Sequence, residues 1–334
     1  MTREEIRRKI FDADEENFEA LALEIFQHQI SHNEIYREYC SLLREDASKI
    51  QNISDIPFLP IEFFKTHRVV TGDISPQRIF TSSGTTSEKA SRHFVSDLKL
   101  YEESFLRTFK LFFGEPDLFC ILALLPSYLE RSGSSLVFMV EGLMNASGHQ
   151  SNGFYLYNQE ELHKKLLELE TNKQRTILAG VTFALLDFAE KFPLPLHNTI
   201  ILETGGMKGR REEITREELH TTLKNSFHTK KIYSEYGMTE LLSQAYSPGD
   251  GKFLTPPWMK VLIRDVNDPL QVAEENATGA INIIDFANLD SCSFIATDDV
   301  GKMNDDGTFE VMGRMDHSDV RGCNLMWEEK ISRQ

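Results

Sequence analysis

Apolar positions recur at helical spacing along the first 50 residues, where Phe18, Leu21, Leu23, Ile25 and Phe26 define one face. Two or three helices are expected there. Thr2, with Glu5 three residues on, has the form of a capping box at the first of them. Pro57 and Pro60 make residues 51–78 a stiff connector unsuited to helix. Short continuous apolar runs then alternate with longer segments of 3.6-residue periodicity. Strands are predicted at 118–125, 177–180 and 199–202, and helices at 135–146, 160–170, 183–191 and 215–227. Asp97 is suited to cap a further helix carrying Tyr101, Phe105, Phe109 and Phe112. This rhythm predicts an α/β fold, helices around a mostly parallel sheet.

After residue 255 the pattern changes. Strands are expected at 259–266, 280–286, 294–297 and 308–311, with few helices between them. Asn304-Asp305-Asp306-Gly307 ends in Asp-Gly, a strong hairpin signal, so a small antiparallel β subdomain is predicted.

Charge and cysteine usage narrow the function classes. Thirty-six basic residues face 52 acidic ones, a net charge of −16. Nucleic-acid affinity comes from Lys and Arg displacing counterions, so no nucleic-acid partner is expected. Docking on anionic lipid is disfavoured on the same ground. No apolar run approaches the ~20 residues of a spanning helix, and Met1-Thr2-Arg3-Glu4-Glu5 does not open a signal peptide; no membrane insertion is expected. Cys40, Cys120, Cys292 and Cys323 lie far apart without a C-x-x-C pair, which points to free thiols and a cytoplasmic location.

The densest chemistry is the run Thr81-Ser82-Ser83-Gly84-Thr85-Thr86-Ser87, led in by Ile79 and Phe80 and followed by Lys89. Glycine lets backbone N–H groups turn toward an anion, and hydroxyls add rotatable donors, so the loop suits phosphate. It lacks the second glycine and adjoining lysine of the G-x-x-x-x-G-K-[ST] loop. Taken alone, it reads equally as a surface turn. Three motifs follow it in order: Tyr233-Ser234-Glu235-Tyr236-Gly237-Met238-Thr239-Glu240, Thr297-Asp298-Asp299-Val300-Gly301, and Gly313-Arg314-Met315-Asp316.

Together the four resemble the adenylate-forming superfamily of acyl-CoA synthetases, luciferases and adenylation domains. Within it, Ile56-Pro57-Phe58-Leu59-Pro60, Leu125-Pro126-Ser127-Tyr128 and Arg321-Gly322-Cys323 resemble the acyl-protein synthetases (LuxE family) of the bacterial fatty acid reductase complex. The resemblance implies the large domain of that fold. An N-terminal helical region (1–75) would pack on an α/β nucleotide-binding core (76–255), followed by a β-rich subdomain (256–312) and a short tail (313–334). In the superfamily a C-terminal lid supplies a lysine that completes the adenylation site. Lys330 stands sixteen residues past Arg314, too close for a folded lid, so a truncated lid is expected and the source of that lysine stays open.

The cofactors so implied are ATP and Mg²⁺. The hydroxyl loop would hold the β- and γ-phosphates, Thr239 the α-phosphate, and Glu240 the Mg²⁺, a cation that prefers hard oxygen ligands. By register Asp299 matches the ribose-binding aspartate, but Asp298 stands where the superfamily usually has glycine, so either acid could serve. Arg314 would lie near ribose or phosphate, and Asp316 at the hinge. Gly205, Gly206 and Met207 would set backbone against adenine, with Tyr236, followed by Gly237, on its other side. Lys89, His93, Tyr128, Ser132 and Gly133 are further candidates for contact with substrate. Plainer readings stand beside these: a solvated lysine, a structural histidine, a surface Glu240 opening a helix at Leu241, and a solvated turn at Asp298-Asp299. Phe58, Phe63, Phe64 and Phe94 read first as core.

The resemblance implies activation of a carboxylic acid, by family a fatty acid, to acyl-AMP and pyrophosphate, then transfer to a thiol. In that family the acyl group moves to a cysteine near the C-terminus; Cys323 is the match, its thiolate being the nucleophile. Cys120 and Cys292 fall in expected strands and read as core. An acyl reductase would be the partner. Two alternatives stay open: a ligase acting directly on CoA or a carrier-protein phosphopantetheine, and a non-catalytic nucleotide-binding scaffold.

Overall fold

The computed structural model describes residues 1–43, 49–82, 90–126, 133–205, 214–266, 268, 270–273 and 277–315. The N-terminal pattern folds as α1 (Arg3–Lys9), α2 (Phe18–His32) and α3 (Glu34–Leu42). The capping box forms in both directions between Thr2 and Glu5. The connector supplies a short strand, β1 (Leu59–Pro60), and, against expectation, one helical turn, α4 (Phe63–Thr66). Both prolines lie upstream of that turn, so neither removes a donor from it. An antiparallel hairpin unforeseen in the sequence follows, β2 (Arg78–Thr81) with β3 (Arg92–Val95). Thr81, the first residue of the hydroxyl run, ends β2, and Ser82 follows it. The Asp97 side chain accepts from Leu100 N and opens α5 (Leu98–Phe113).

Strands and helices then alternate: β4 (Cys120–Leu124), α6 (Ser135–Ser147), β5 (Gly153–Phe154), α7 (Gln159–Thr171), β6 (Thr176–Val181), α8 (Thr182–Lys191), β7 (Thr199–Thr204), α9 (Arg216–Phe227), β8 (Tyr233–Tyr236) and β9 (Ala245–Ser247). They form one sheet in the order β5-β4-β6-β7-β8-β9, parallel except for β9. Every position of β4 and β6 is buried, as a strand covered on both faces requires. On one face lie α5 and α6; on the other, His220 of α9 reaches Ser234 of β8.

The second sheet runs β10 (Lys252–Phe253), β14 (Phe309–Arg314), β13 (Phe294–Met303), β12 (Gly279–Asp285), β11 (Met259–Arg264), all antiparallel, with β1 added parallel to β13. The expected Asp-Gly turn joins β13 to β14, with Gly307 at φ +78° and Asn304 N donating to Thr308 O at 2.8 Å. The N-terminal helices dock on this sheet. Phe18 stacks on Phe286 and Tyr36 on Phe294, while Arg3 meets Asp290 through two 2.6 Å bonds. Cys292 lies in the turn before β13, not in a strand, but is buried like Cys120.

Candidate active site

The ends of β6, β7 and β8 point the same way, and the motif turn 237–243 leaves the sheet there, where ligands of such sheets gather. No helix opens at Leu241. Leu241 N instead donates back to Met238 O, and Glu240 is buried rather than at the surface. The turn is held from the second sheet by polar residues spaced three apart. Asp285 accepts from Leu242 N at 3.0 Å, Ser243 N at 2.9 Å and Ser243 Oγ at 2.7 Å. Asn288 donates to Glu240 O at 2.8 Å and accepts from Leu242 N at 3.1 Å. Ser291 Oγ lies 2.9 Å from His93 Nε2, whose Nδ1 lies 2.9 Å from Thr239 O. A carbonyl only accepts, so we assign the proton to Nδ1 and let Ser291 donate to Nε2. Burial pulls His93 down to about 4, which keeps the ring neutral. Burial also lifts Asp285 to about 6 against its donors.

Glu240 is 5 % exposed. Burial pushes its carboxyl above the usual range, opposed by a hydrogen bond from Ser91 and by the charges of Arg314 and Lys65. Ser91 belongs to the returning arm of the hairpin: Ser91 N donates to Ser82 Oγ at 2.9 Å, and Ser82 N to Ser91 O at 3.1 Å. Thr81 N donates to Gly133 O at 2.7 Å. Both ends of the hydroxyl loop therefore arrive at the Thr239-Glu240 turn. Ser83, Gly84, Thr85, Thr86, Ser87 and Lys89 lie outside the described residues.

The third motif sits where β13 changes neighbours. Ile295 and Ala296 pair with β1, whereas Asp299 to Met303 pair with β14. Thr297 and Asp298 fall between. Buried Arg264 donates to Thr297 O at 2.7 Å and to Ile281 O at 3.0 Å, fixing the backbone at this junction. Asp299 Oδ2 accepts from Tyr236 OH at 2.8 Å, and Arg314 Nε lies 3.3 Å from Oδ1. Burial raises Asp299, offset first by the Tyr236 bond and then by Arg314. The Tyr236 ring packs against Phe253 and Phe309 and is buried, so its polar end faces the crevice through Asp299. A Cβ at Gly237 would meet the Glu235 carboxyl, so any larger residue there would have to displace that side chain. Gly205 is exposed at the end of β7 at φ +69°, with its carbonyl accepting from Thr182 Oγ1 at 2.5 Å. Gly206, Met207, Asp316, Cys323, Tyr128 and Ser132 lie outside the described residues.

The supporting residues Asp285, Asn288 and Ser291 were not read from the sequence. Their one signal is polar residues at a three-residue interval between two buried strands. Among the described residues, no group of three or more His, Cys, Asp or Glu is placed to hold a metal. A single buried carboxylate beside hydroxyls fits Mg²⁺, which keeps waters and substrate phosphates as its other ligands. Among the described residues no helix is long and apolar enough to cross a membrane.

A family model for acyl-protein synthetase, LuxE, matches residues 8–109, from the N-terminal helices through the hydroxyl loop into α5. No curated protein matches the chain. Among solved structures, ATP-bound MatB from Rhodopseudomonas palustris is similar over 71% of this chain and 47% of its own, at 14% identity and a TM-score of 0.54. An open conformation of 2-hydroxyisobutyryl-CoA ligase, in complex with 2-HIB-AMP and CoA, is similar over 90% of this chain and 70% of its own, at 11% identity and a TM-score of 0.66. The chain thus shares its fold with adenylate-forming ligases, and spans about half the length of the MatB structures it matches. More narrowly, over its first third it is similar to the LuxE acyl-protein synthetases, as its motifs led one to expect.

Proposed function

We propose that this protein is a cytoplasmic, ATP-dependent acid–thiol ligase of the acyl-protein synthetase type. A carboxylate oxygen attacks the α-phosphorus of ATP, the bond to the β-phosphate oxygen breaks, and pyrophosphate leaves with acyl-AMP formed. A thiolate then attacks the acyl carbon and AMP departs. The observation that carries this reading is the convergence of the hydroxyl hairpin, the Thr239-Glu240 turn and the Asp299-Arg314 pair at the ends of the parallel strands. Each has the chemistry its step needs. Hydroxyls 81–87 would bind the β- and γ-phosphates, Thr239 the α-phosphate, and Asp299, oriented by Tyr236, the ribose. Gly205, Gly206 and Met207 would border the base. Glu240 would hold Mg²⁺, which supplies charge neutralisation on the phosphates; positioning and electrostatics do most of the work in such transfers.

Cys323 is the proposed acyl acceptor, a fatty acid the proposed substrate, and an acyl reductase the partner that removes the group. Support comes from the other thiols: Cys40, Cys120 and Cys292 are buried, and burial pushes Cys120 up to about 12, where almost no thiolate exists at neutral pH. The fold shared with a CoA ligase favours, as a second reading, direct transfer to CoA. Intact-protein mass after incubation with ATP, Mg²⁺ and acid separates them. A thioester adduct lost in Cys323→Ser supports the first reading. Acyl-CoA made at the wild-type rate by Cys323→Ser overturns it.

A further inference from the structure

Asp290 is buried, at 7 % exposed, one residue before Ser291, and its charge is met from α1. Arg3 Nε donates to Oδ1 and Arg3 Nη2 to Oδ2, both at 2.6 Å, the two-pronged geometry in which guanidinium and carboxylate match. Ser96, just past β3, donates from Oγ to Oδ2 at 2.6 Å. The backbone behind the carboxylate is held as well: Thr71 N donates to Asp290 O at 2.8 Å, and Asn33 Nδ2 to Ser291 O at 2.8 Å.

From Asp290 the links run to the motif turn. Ser291 Oγ donates to His93 Nε2, and His93 Nδ1 to Thr239 O, the residue proposed to meet the α-phosphate. Packing does little to fix these side chains. A cavity of about 10 Å³ lies among Asp290, Ser291, His93 and Leu242. Groups beside a void lose dispersion contacts on that side, so hydrogen bonds set where they sit. The same cavity offers Asp290 an alternative. Without Arg3 its carboxylate stays buried, with Ser96 as its remaining side-chain donor among the described residues. A buried charge so stripped takes whatever donor it can reach. The Ser291 hydroxyl shares the cavity wall with it. Once that hydroxyl turns to Asp290, His93 Nε2 loses its donor and the ring loses its hold on Thr239.

We propose that Arg3 is a positioning residue for the reaction: by saturating Asp290 it leaves the Ser291 hydroxyl to His93, and His93 then fixes the Thr239 backbone. The inference rests on the acid-activation reading and adds to it a residue of α1, outside all four motifs. Arg3 touches no substrate; it acts through Asp290, Ser291 and His93 in turn.

The test compares Arg3→Ala, Arg3→Lys, Ser291→Ala, the Arg3→Ala/Ser291→Ala double variant and Arg7→Ala in the full chain, each shown to be folded by circular dichroism. Arg7 is the control, because it docks the same helix through a 2.8 Å bond to Glu103 rather than through Asp290. ATP–pyrophosphate exchange is measured with octanoate and with palmitate. Hydrogen–deuterium exchange, read by mass spectrometry, follows the peptide 237–243. Arg3→Ala should lower the maximal exchange rate about tenfold or more, while KM for ATP changes less than about threefold. The same variant should exchange deuterium faster at 237–243, and Arg3→Lys should recover part of the lost rate. Arg7→Ala should keep both the rate and the protection of the wild type. The double variant should be no slower than the slower single one, since both substitutions cut the same chain of bonds. A wild-type rate in Arg3→Ala, an equal loss in Arg7→Ala, or losses that multiply in the double variant would overturn the proposal. A wild type without exchange on any acid would remove the adenylation reading, and the peptide would then decide alone. Faster deuterium uptake at 237–243 in Arg3→Ala leaves the hold of Arg3 on the turn standing; unchanged uptake overturns it too.

Discussion

Glu240 holds a proton more tightly than a free glutamate because its carboxylate is cut off from water. A cation can use it only after that proton leaves. Mg²⁺·ATP affinity should therefore rise with pH while Glu240 deprotonates and then level off, with a proton released on binding. Calorimetry in buffers of different ionisation enthalpy reads this directly. Glu240→Gln should abolish the proton release and lower exchange about a hundredfold or more. Asp299 is a different case, because its geometry depends on the Tyr236 hydroxyl. Tyr236→Phe should raise KM for ATP about three- to tenfold, one hydrogen bond's worth, while kcat falls less. Steady-state kinetics checks the split. Glu240 and Asp299 were legible as candidates in the sequence because their motifs are contiguous. His93 was a weaker candidate: its partners, Thr239 and Ser291, lie 146 and 198 residues away.

At the level of elements, the motif turn has no regular structure of its own and depends on what the second sheet supplies. Asp285 is its main anchor, and removing a buried acceptor strands several donors at once. Asp285→Ala should cost about 2–4 kcal/mol in urea unfolding and reduce activity, whereas Asp285→Asn, which keeps an acceptor, should cost less. The helices α6 to α9 and the strands β4, β6, β7, β11 and β12 followed from apolar periodicity to within two residues at each end, because burial on one face or on both dictates that pattern, whereas β5, β8, β9 and β10 were not anticipated. The β2–β3 hairpin did not, since its strands are four residues each and its connection is a run of hydroxyls. Nor did β13 reveal its length: past Thr297 its residues, Gly301 apart, are only partly buried, and what extends it is the pairing with β14.

Across the whole molecule, two buried acids set an unusual pH response. Glu235 is raised to about 7 and Asp285 to about 6, both mainly by burial. Between the unfolded carboxylate range near ~4 and these folded values, the native state binds more protons than the unfolded chain. From these two groups stability therefore falls as pH rises through about 6 and 7. Chemical unfolding should show a more stable protein near pH 5 than near pH 8, and Glu235→Gln should flatten that decline. No single stretch of sequence announces such a property, because it arises where strands of two different sheets, β8 and β12, each bury an acid.

The claim on which the account turns is that a carboxylic acid and ATP react between the hydroxyl hairpin and Glu240. Acid-dependent exchange of labelled pyrophosphate into ATP measures that step alone, without regard to the acceptor. Exchange well above the acid-free background, lost in Glu240→Gln, is the expected result. A folded wild-type chain that binds ATP yet shows no exchange with any hydroxy, amino or unsubstituted acid would contradict it.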